Sequence, residues 1–260
     1  VLGAVGWSFL GVLKYMVLII FGIGSIPLGG AFWFLRALFI VCLLFSLLNW
    51  QINKIKTNYN KSFILFGFVF SFLIMGYYTN LPYNISSSFV ALFFYYIGYL
   101  YAKNKEEIKM EWSYFIPAFI CVIGFSFINK VDMAYNTYTY FSLFILTSIC
   151  GSYAILFVSE KVNRNSILEY IGKKSLSIMM FHFLSFLIVN VIIVYVYDLP
   201  INRILEYPTI KDYNWWWLLF LFVGVFLSIL IDEIILVLKS FSPTYFTVNY
   251  CFEKLNKKYN

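Results

Sequence analysis

The side chains in this sequence that could do chemistry are few, and most sit in apolar company. His182 is the only histidine, eight residues beyond Lys174 in a long apolar run. Arg36 follows Trp33 in another such run, Lys14 lies in a third, and Asp232 with Glu233 lies in a fourth. An ionisable group inside an apolar segment is costly to bury, so it marks a functional site unless it reaches an interface or a partner. A positioned imidazole can take the proton of an alcohol. An arginine or an indole N–H can stabilise an oxyanion. At helical rise His182 falls about 12 Å, and Asp232 about 10 Å, from the same edge of a membrane. The carboxylate could then orient or charge the imidazole, with Glu233 as its neighbour.

Each residue also has a plainer reading. His182 can be a neutral histidine hydrogen-bonded inside a bundle. Asp232 and Glu233 can reach the interface or pair with Lys239 or Lys14. Arg36 can snorkel to the surface, and Trp33 can be an interfacial anchor. Cys42, Cys121, Cys150 and Cys251 form no CxxC pair. One histidine cannot complete a zinc site, so no metal is expected.

The elements that must position these groups are membrane helices. Of 260 residues, 62% are hydrophobic and only 12% charged, where a soluble domain carries about a quarter charged. The apolar residues come in long runs rather than alternating with charge, which excludes an ordinary globular core. Eight segments suit a span of ~20 apolar residues: about 4–23, 31–50, 62–79, 88–102, 113–128, 138–158, 175–197 and 216–238. The fold class is all-α, a polytopic integral membrane helix bundle, read as one membrane-embedded domain over residues 1–260.

Loop charge gives orientation. The connections holding Lys54, Lys56, Lys61, Lys103, Lys105, Lys109, Lys161, Arg164, Lys173 and Lys174, together with the tail, carry 14 cations. The alternate connections carry three: Lys130, Arg203 and Lys211. Such alternation places the first set, and both chain ends, on the cytoplasmic side of the plasma membrane. The net charge of +7 belongs to this bias. It is not a nucleic-acid groove, since no basic run is interleaved with exposed aromatics. A sequon, Asn84–Ile85–Ser86, falls in an outside connection.

Three stretches, in order, resemble the acyltransferase-3 family of membrane O-acyltransferases, in its polysaccharide or fucose O-acetylase flavour. The sequence LEYIGKKSLSIMMFHF over 168–183 is similar to that family's cytoplasmic turn and histidine-bearing helix. The sequence GGAFWFLRALF over 29–39 resembles a family helix start, and FFYYIGYLYAK over 93–103 another helix. The resemblance implies transfer of an acyl group, acetyl above all, from cytoplasmic acyl-CoA to a hydroxyl of a cell-surface or lipid-linked glycan. It implies acyl-CoA as co-substrate and no bound cofactor. By this resemblance His182 and Arg36 are the catalytic candidates, with Trp33, Tyr95 and Ser175 toward substrate; Ser175 could equally cap its helix. The family usually begins with a helix carrying an Arg and a His, and no helix here carries both. On that reading the chain starts after the pair, and His182 is the second, supporting histidine. The rival functions are a transporter or flippase for a lipid-linked sugar and a structural membrane subunit. No repeat symmetry and no matching broken helices favour the first of these.

Overall fold

Runs of Leu, Ile, Val and Phe without interior charge can satisfy their backbone in lipid only as helices, because hydrocarbon offers no hydrogen-bond partner. The computed structural model describes residues 32–56, 60–108, 110–162, 165–206 and 208–240, apart from the side chains at 214, 239 and 240. Among these residues the chain forms α1 (Phe32–Lys54), α2 (Lys61–Tyr78), α3 (Ile85–Lys103) and α4 (Trp112–Ser126). A two-residue hairpin follows, β1 (Val131–Asp132) and β2 (Thr137–Tyr138). Then come α5 (Phe141–Lys161), α6 (Ser166–Lys173), α7 (Ser175–Val196), two 3-10 turns (Ile201–Leu205 and Lys211–Trp216) and α8 (Trp217–Ser240). Six of the described helices are long and apolar enough to cross a membrane, and α4 is a shorter apolar helix. The protein is therefore an all-α, multi-pass membrane protein. The expected segment at 4–23, with Lys14, lies outside the described residues, as do Lys109, Arg164, Cys251 and the tail cations beyond residue 240.

The first compact unit, Phe32–Asn165, is organised around α3. Helix α1 buries Ala37, Val41 and Phe45, and α2 buries Leu65, Val69, Leu73 and Gly76, each a stripe at three- or four-residue spacing. Helix α3 packs against both and is buried on two sides, through Phe89, Val90, Leu92, Phe93 and Tyr96. Contact between α2 and α3 depends on Gly76: a Cβ there would lie 2.6 Å from the Ser86 carbonyl oxygen. Helices α4 and α5 form an antiparallel pair, with Phe115 stacked on Phe157 at 4.7 Å. Pro117 inside α4 removes one backbone donor, and α4 reaches only 15 residues where 113–128 was expected.

Among the described residues the second unit begins at Ser166. Helices α7 and α8 pair along their length around Val189, Ile193 and Phe220. Ser185 Oγ and Ser228 Oγ, 3.1 Å apart and fully buried, join them inside the apolar contact. The chain between them folds over the end of α7 in two 3-10 turns. There the Asn190 amide donates to the carbonyls of Ile204 (3.1 Å) and Glu206 (3.3 Å). Arg203 grips Glu206 through Nε (2.6 Å) and Asp212 through a terminal nitrogen (2.8 Å). That guanidinium holds the Glu206 carboxyl below the usual carboxylate range.

Many large apolar side chains face outward along the helices, Phe39 at 69%, Phe63 at 75% and Ile155 at 72% exposure among them. In water such a surface would aggregate; in a bilayer it is the lipid contact.

Candidate functional site

In the first unit the site is built at the ends of three elements. Arg36 lies in the second turn of α1, half-buried, and its guanidinium donates to Asn84 Oδ1 at 3.0 Å. Asn84 directly precedes α3, and the chain reaches it through a sharp turn in which Tyr83 (φ 59°) and Asn84 (φ 61°) are both left-handed. The Asn84 amide nitrogen donates to the Ala134 carbonyl at 2.8 Å. One side chain thus joins α1, the start of α3 and the hairpin loop.

The same loop is fixed by further bonds. Ser87 Oγ donates to Met133 O at 2.6 Å, and the Asn136 amide donates to Gly76 O at 2.9 Å, at the end of α2. Tyr138 Oη donates to Asn136 Oδ1 at 3.1 Å. Burial, with Asp132 nearby, pushes the Tyr138 hydroxyl up to about 12, so it remains a donor at neutral pH. Within the loop Asp132 Oδ1 accepts from the Ala134 (2.9 Å) and Tyr135 (3.3 Å) N–H groups. The sequon is closed in the folded chain, since both ends of the Asn84 amide are bonded and Ser86 is only 2% exposed.

The other expected residues of this unit are spread along it. Trp33 is one turn before Arg36, half-buried and edge-on to Phe34 at 6.0 Å. Tyr95 packs against Phe45 with the rings tilted, centroids 5.0 Å apart. It is eleven residues beyond Asn84 on α3, roughly 16 Å along the axis at helical rise. Trp33 shares the Arg36 end of the unit and Tyr95 does not.

In the second unit His182 sits in the third turn of α7. Its Nδ1 lies 2.8 Å from the Met179 carbonyl oxygen and 3.2 Å from that of Ile178. A carbonyl can only accept, so Nδ1 carries the hydrogen, and in the neutral form of the ring the lone pair lies on Nε2. Phe183 (3.9 Å) and Phe186 (5.5 Å) flank the ring. The ring is thus oriented by the backbone of its own helix.

Asp232 and Glu233, expected beside the imidazole, are both engaged by a lysine. Lys174 Nζ is 2.7 Å from Asp232 Oδ2 and 2.6 Å from Glu233 Oε1, and Tyr170 Oη donates to Glu233 Oε1 at 2.9 Å. The two carboxylates raise the Lys174 ammonium above its usual range, Asp232 contributing most. Ser175 is the exposed first residue of α7; the capping position belongs to Lys174, with no side-chain cap bond. Ser175 therefore does not serve as the N-cap.

Two neighbours of these residues escape the sequence reading. There Lys174 is a loop cation, although its closeness in depth to Asp232 signals a pair. Asn84 is there only a sequon, although the Pro82–Tyr83–Asn84 turn signals an unusual backbone. Among the described residues there is no group of three or more His, Cys, Asp or Glu side chains that could hold a metal.

No curated protein and no solved structure matches this chain. The family model for the acyltransferase-3 type, described as an acyltransferase domain, matches residues 2–233. The match spans most of the 260 residues, and the chain belongs to the acyltransferase-3 family.

Proposed function

We propose that the protein is an O-acyltransferase that moves an acyl group, acetyl in the simplest case, from cytoplasmic acyl-CoA to a hydroxyl of a cell-surface or lipid-linked glycan. The observation that supports this reading is the orientation of His182: Nδ1 faces backbone carbonyls, which leaves Nε2 as the ring nitrogen able to take a proton. An alcohol is a weak nucleophile at neutral pH, and a fixed imidazole is the group most often used to take its proton.

The step balances without a further reactant. The acceptor oxygen attacks the thioester carbonyl carbon while His182 Nε2 takes the hydroxyl proton. Collapse of the tetrahedral intermediate breaks the C–S bond, leaves an ester, and returns the proton to the departing thiolate. In the first unit Arg36, whose guanidinium donates to Asn84 Oδ1, is the other candidate catalytic residue that the family resemblance gives. On the positive-inside orientation, the cytoplasmic helix ends of the first unit carry Lys54, Lys56, Lys103, Lys105 and Lys161, cations suited to the phosphates of CoA.

The test is a transfer assay in membranes containing the protein as its gene encodes it. Membranes are supplied with acetyl-CoA labelled in the acetyl group, and label is followed into lipid-linked and surface glycans. Label in an alkali-labile ester on the glycan is the expected result. Absence of label from every acyl-CoA tried, with glycan export impaired in the deletion strain, would overturn the enzyme reading in favour of a transporter.

A further inference from the structure

Two openings of the first unit meet at Thr139, on the hairpin that also accepts the Asn84 amide. One is a cleft of about 320 Å³ along both strands, with Lys130, Asp132, Thr137 and Thr139 around it. The other is a groove of about 660 Å³ between α2 and α5. Phe70 and Ile74 line it from α2, and Leu143 and Ile145 from α5. Thr139 shares its wall with Tyr77, Tyr78 and Tyr140. At that end the two helices touch through Tyr77, stacked on Phe141 at 4.2 Å. From Tyr78 back to Phe70 the groove follows α2 for about 12 Å at helical rise.

Each opening has the chemistry of one half of an amphiphile. At hydrocarbon depth water finds no partner on Leu, Ile and Phe, so a lipid chain is what fills the groove. The tyrosines at its mouth suit the membrane interface. In the cleft, polar groups stand ready. Among the described residues Lys130 Nζ and Thr137 Oγ1 have no bonding partner, and Asp132 uses only Oδ1, on the N–H groups of Ala134 and Tyr135. An ammonium holds phosphate as a point charge. The Asp132 carboxylate repels phosphate and calls for donors beside it, which sugar hydroxyls supply; the threonine hydroxyls serve the same ring. The cleft has the volume of roughly ten water molecules, room for a sugar as well as its phosphate.

The geometry points to a single lipid-linked sugar as the occupant of both openings, its chain in the groove and its phosphate and sugar over the hairpin. On the positive-inside orientation this is a molecule of the outer leaflet. The assignment rests on the acyl-transfer reading given above and names the carrier of the acceptor hydroxyl.

The test places the protein, as its gene encodes it, in phosphatidylcholine vesicles with polyprenyl diphosphate-linked N-acetylglucosamine carrying a diazirine in its chain. After photolysis, adducts are mapped by mass spectrometry. They are expected to concentrate on 70–78 and 139–145, and to be displaced by the unlabelled lipid-linked sugar but not by phosphatidylethanolamine at the same level. Adducts spread evenly over the lipid-facing helices, or displaced equally by phosphatidylethanolamine, would overturn the assignment.

Variants sharpen it. Ile74→Trp fills the groove from a position 44% exposed, where a larger side chain does not press on the core. Lys130→Gln removes the cation. Each is expected to cut labelling several-fold, while Ile155→Trp, on a lipid-facing part of α5 outside the groove and 72% exposed, leaves it unchanged. In the transfer assay Ile74→Trp is expected to raise KM for the lipid-linked acceptor several-fold and to leave KM for acyl-CoA alone. Wild-type labelling in either Ile74→Trp or Lys130→Gln counts against the shared site. Adducts at these segments in a protein that transfers no acyl group defeat the proposed function and leave the occupant standing; acyl transfer without such adducts does the reverse.

Discussion

His182 in α7 and Lys174 at its N-cap show how differently two neighbouring side chains can be used. His182 turns Nδ1 to carbonyls of the preceding turn, which leaves Nε2 as the ring nitrogen facing away from its own backbone. Lys174 spends its charge on Asp232 and Glu233 and ties the start of α7 to α8. Replacing Lys174 by Met leaves two carboxylates crowded together without their cation. Amide hydrogen exchange over 166–178 is therefore expected to quicken, and adding Asp232→Asn should slow it again by removing the like-charge repulsion. Because the folded-state pKa of Lys174 is raised, its contribution is complete below about 10.4, the unfolded value. It is lost as pH rises through the higher folded value. Glu206 behaves in the opposite sense: its pKa is lowered by Arg203, so its contribution is complete above about 4.3 and lost as pH falls through the depressed value. Exchange over 201–212 is expected to rise in acid before exchange in α7 does. The types of these residues were legible in the sequence, but their partners were not. Asp232 was matched to His182 by depth alone, and depth does not say which side chain a carboxylate faces.

At the level of helices, close approach is decided by what a missing Cβ would meet. At Gly76 it would run into the Ser86 carbonyl at 2.6 Å and Val90 N at 3.0 Å, backbone atoms that cannot step aside. Gly76→Ala is expected to force α2 and α3 apart at a cost of about 1–3 kcal/mol, seen as a lower midpoint of thermal unfolding in detergent. At Gly224 the nearest atom is Cε1 of Phe186 at 2.7 Å, part of a ring that can turn, so Gly224→Ala should lower the midpoint less. The spans themselves were easy to read, because length and hydropathy suffice where lipid is the solvent. The described helices fall within a few residues of the expected segments, and Ile85–Lys103 is longer than the 88–102 expected. What hydropathy passed over is the interfacial structure: α6, the hairpin and the 3-10 turns. Eight residues of mixed polarity, as in Ser166–Lys173, give no spanning signal, and the hairpin is set by Asn and Asp side chains bonding to backbone.

The whole molecule is a multi-pass membrane protein of the acyltransferase-3 family, and its proposed orientation follows from the distribution of Lys and Arg. In a cysteine-free background, Tyr135→Cys should react with an impermeant maleimide in intact cells, because it lies at the exposed tip of the hairpin. Glu106→Cys, between α3 and α4, should react only after lysis; the reverse pattern would invert the orientation. Family membership was legible from three short motifs in order, and the motif around His182 was the most informative because it joins a charged turn to a histidine in an apolar helix. The central claim is that His182 Nε2 takes the acceptor's proton. The most direct measurement is the rate of acetyl transfer from labelled acetyl-CoA in membranes, wild type against His182→Ala at equal expression. Loss of about 100- to 10,000-fold in kcat, with the folded protein retained, is what this account predicts. A His182→Ala variant that transfers at the wild-type rate would contradict it.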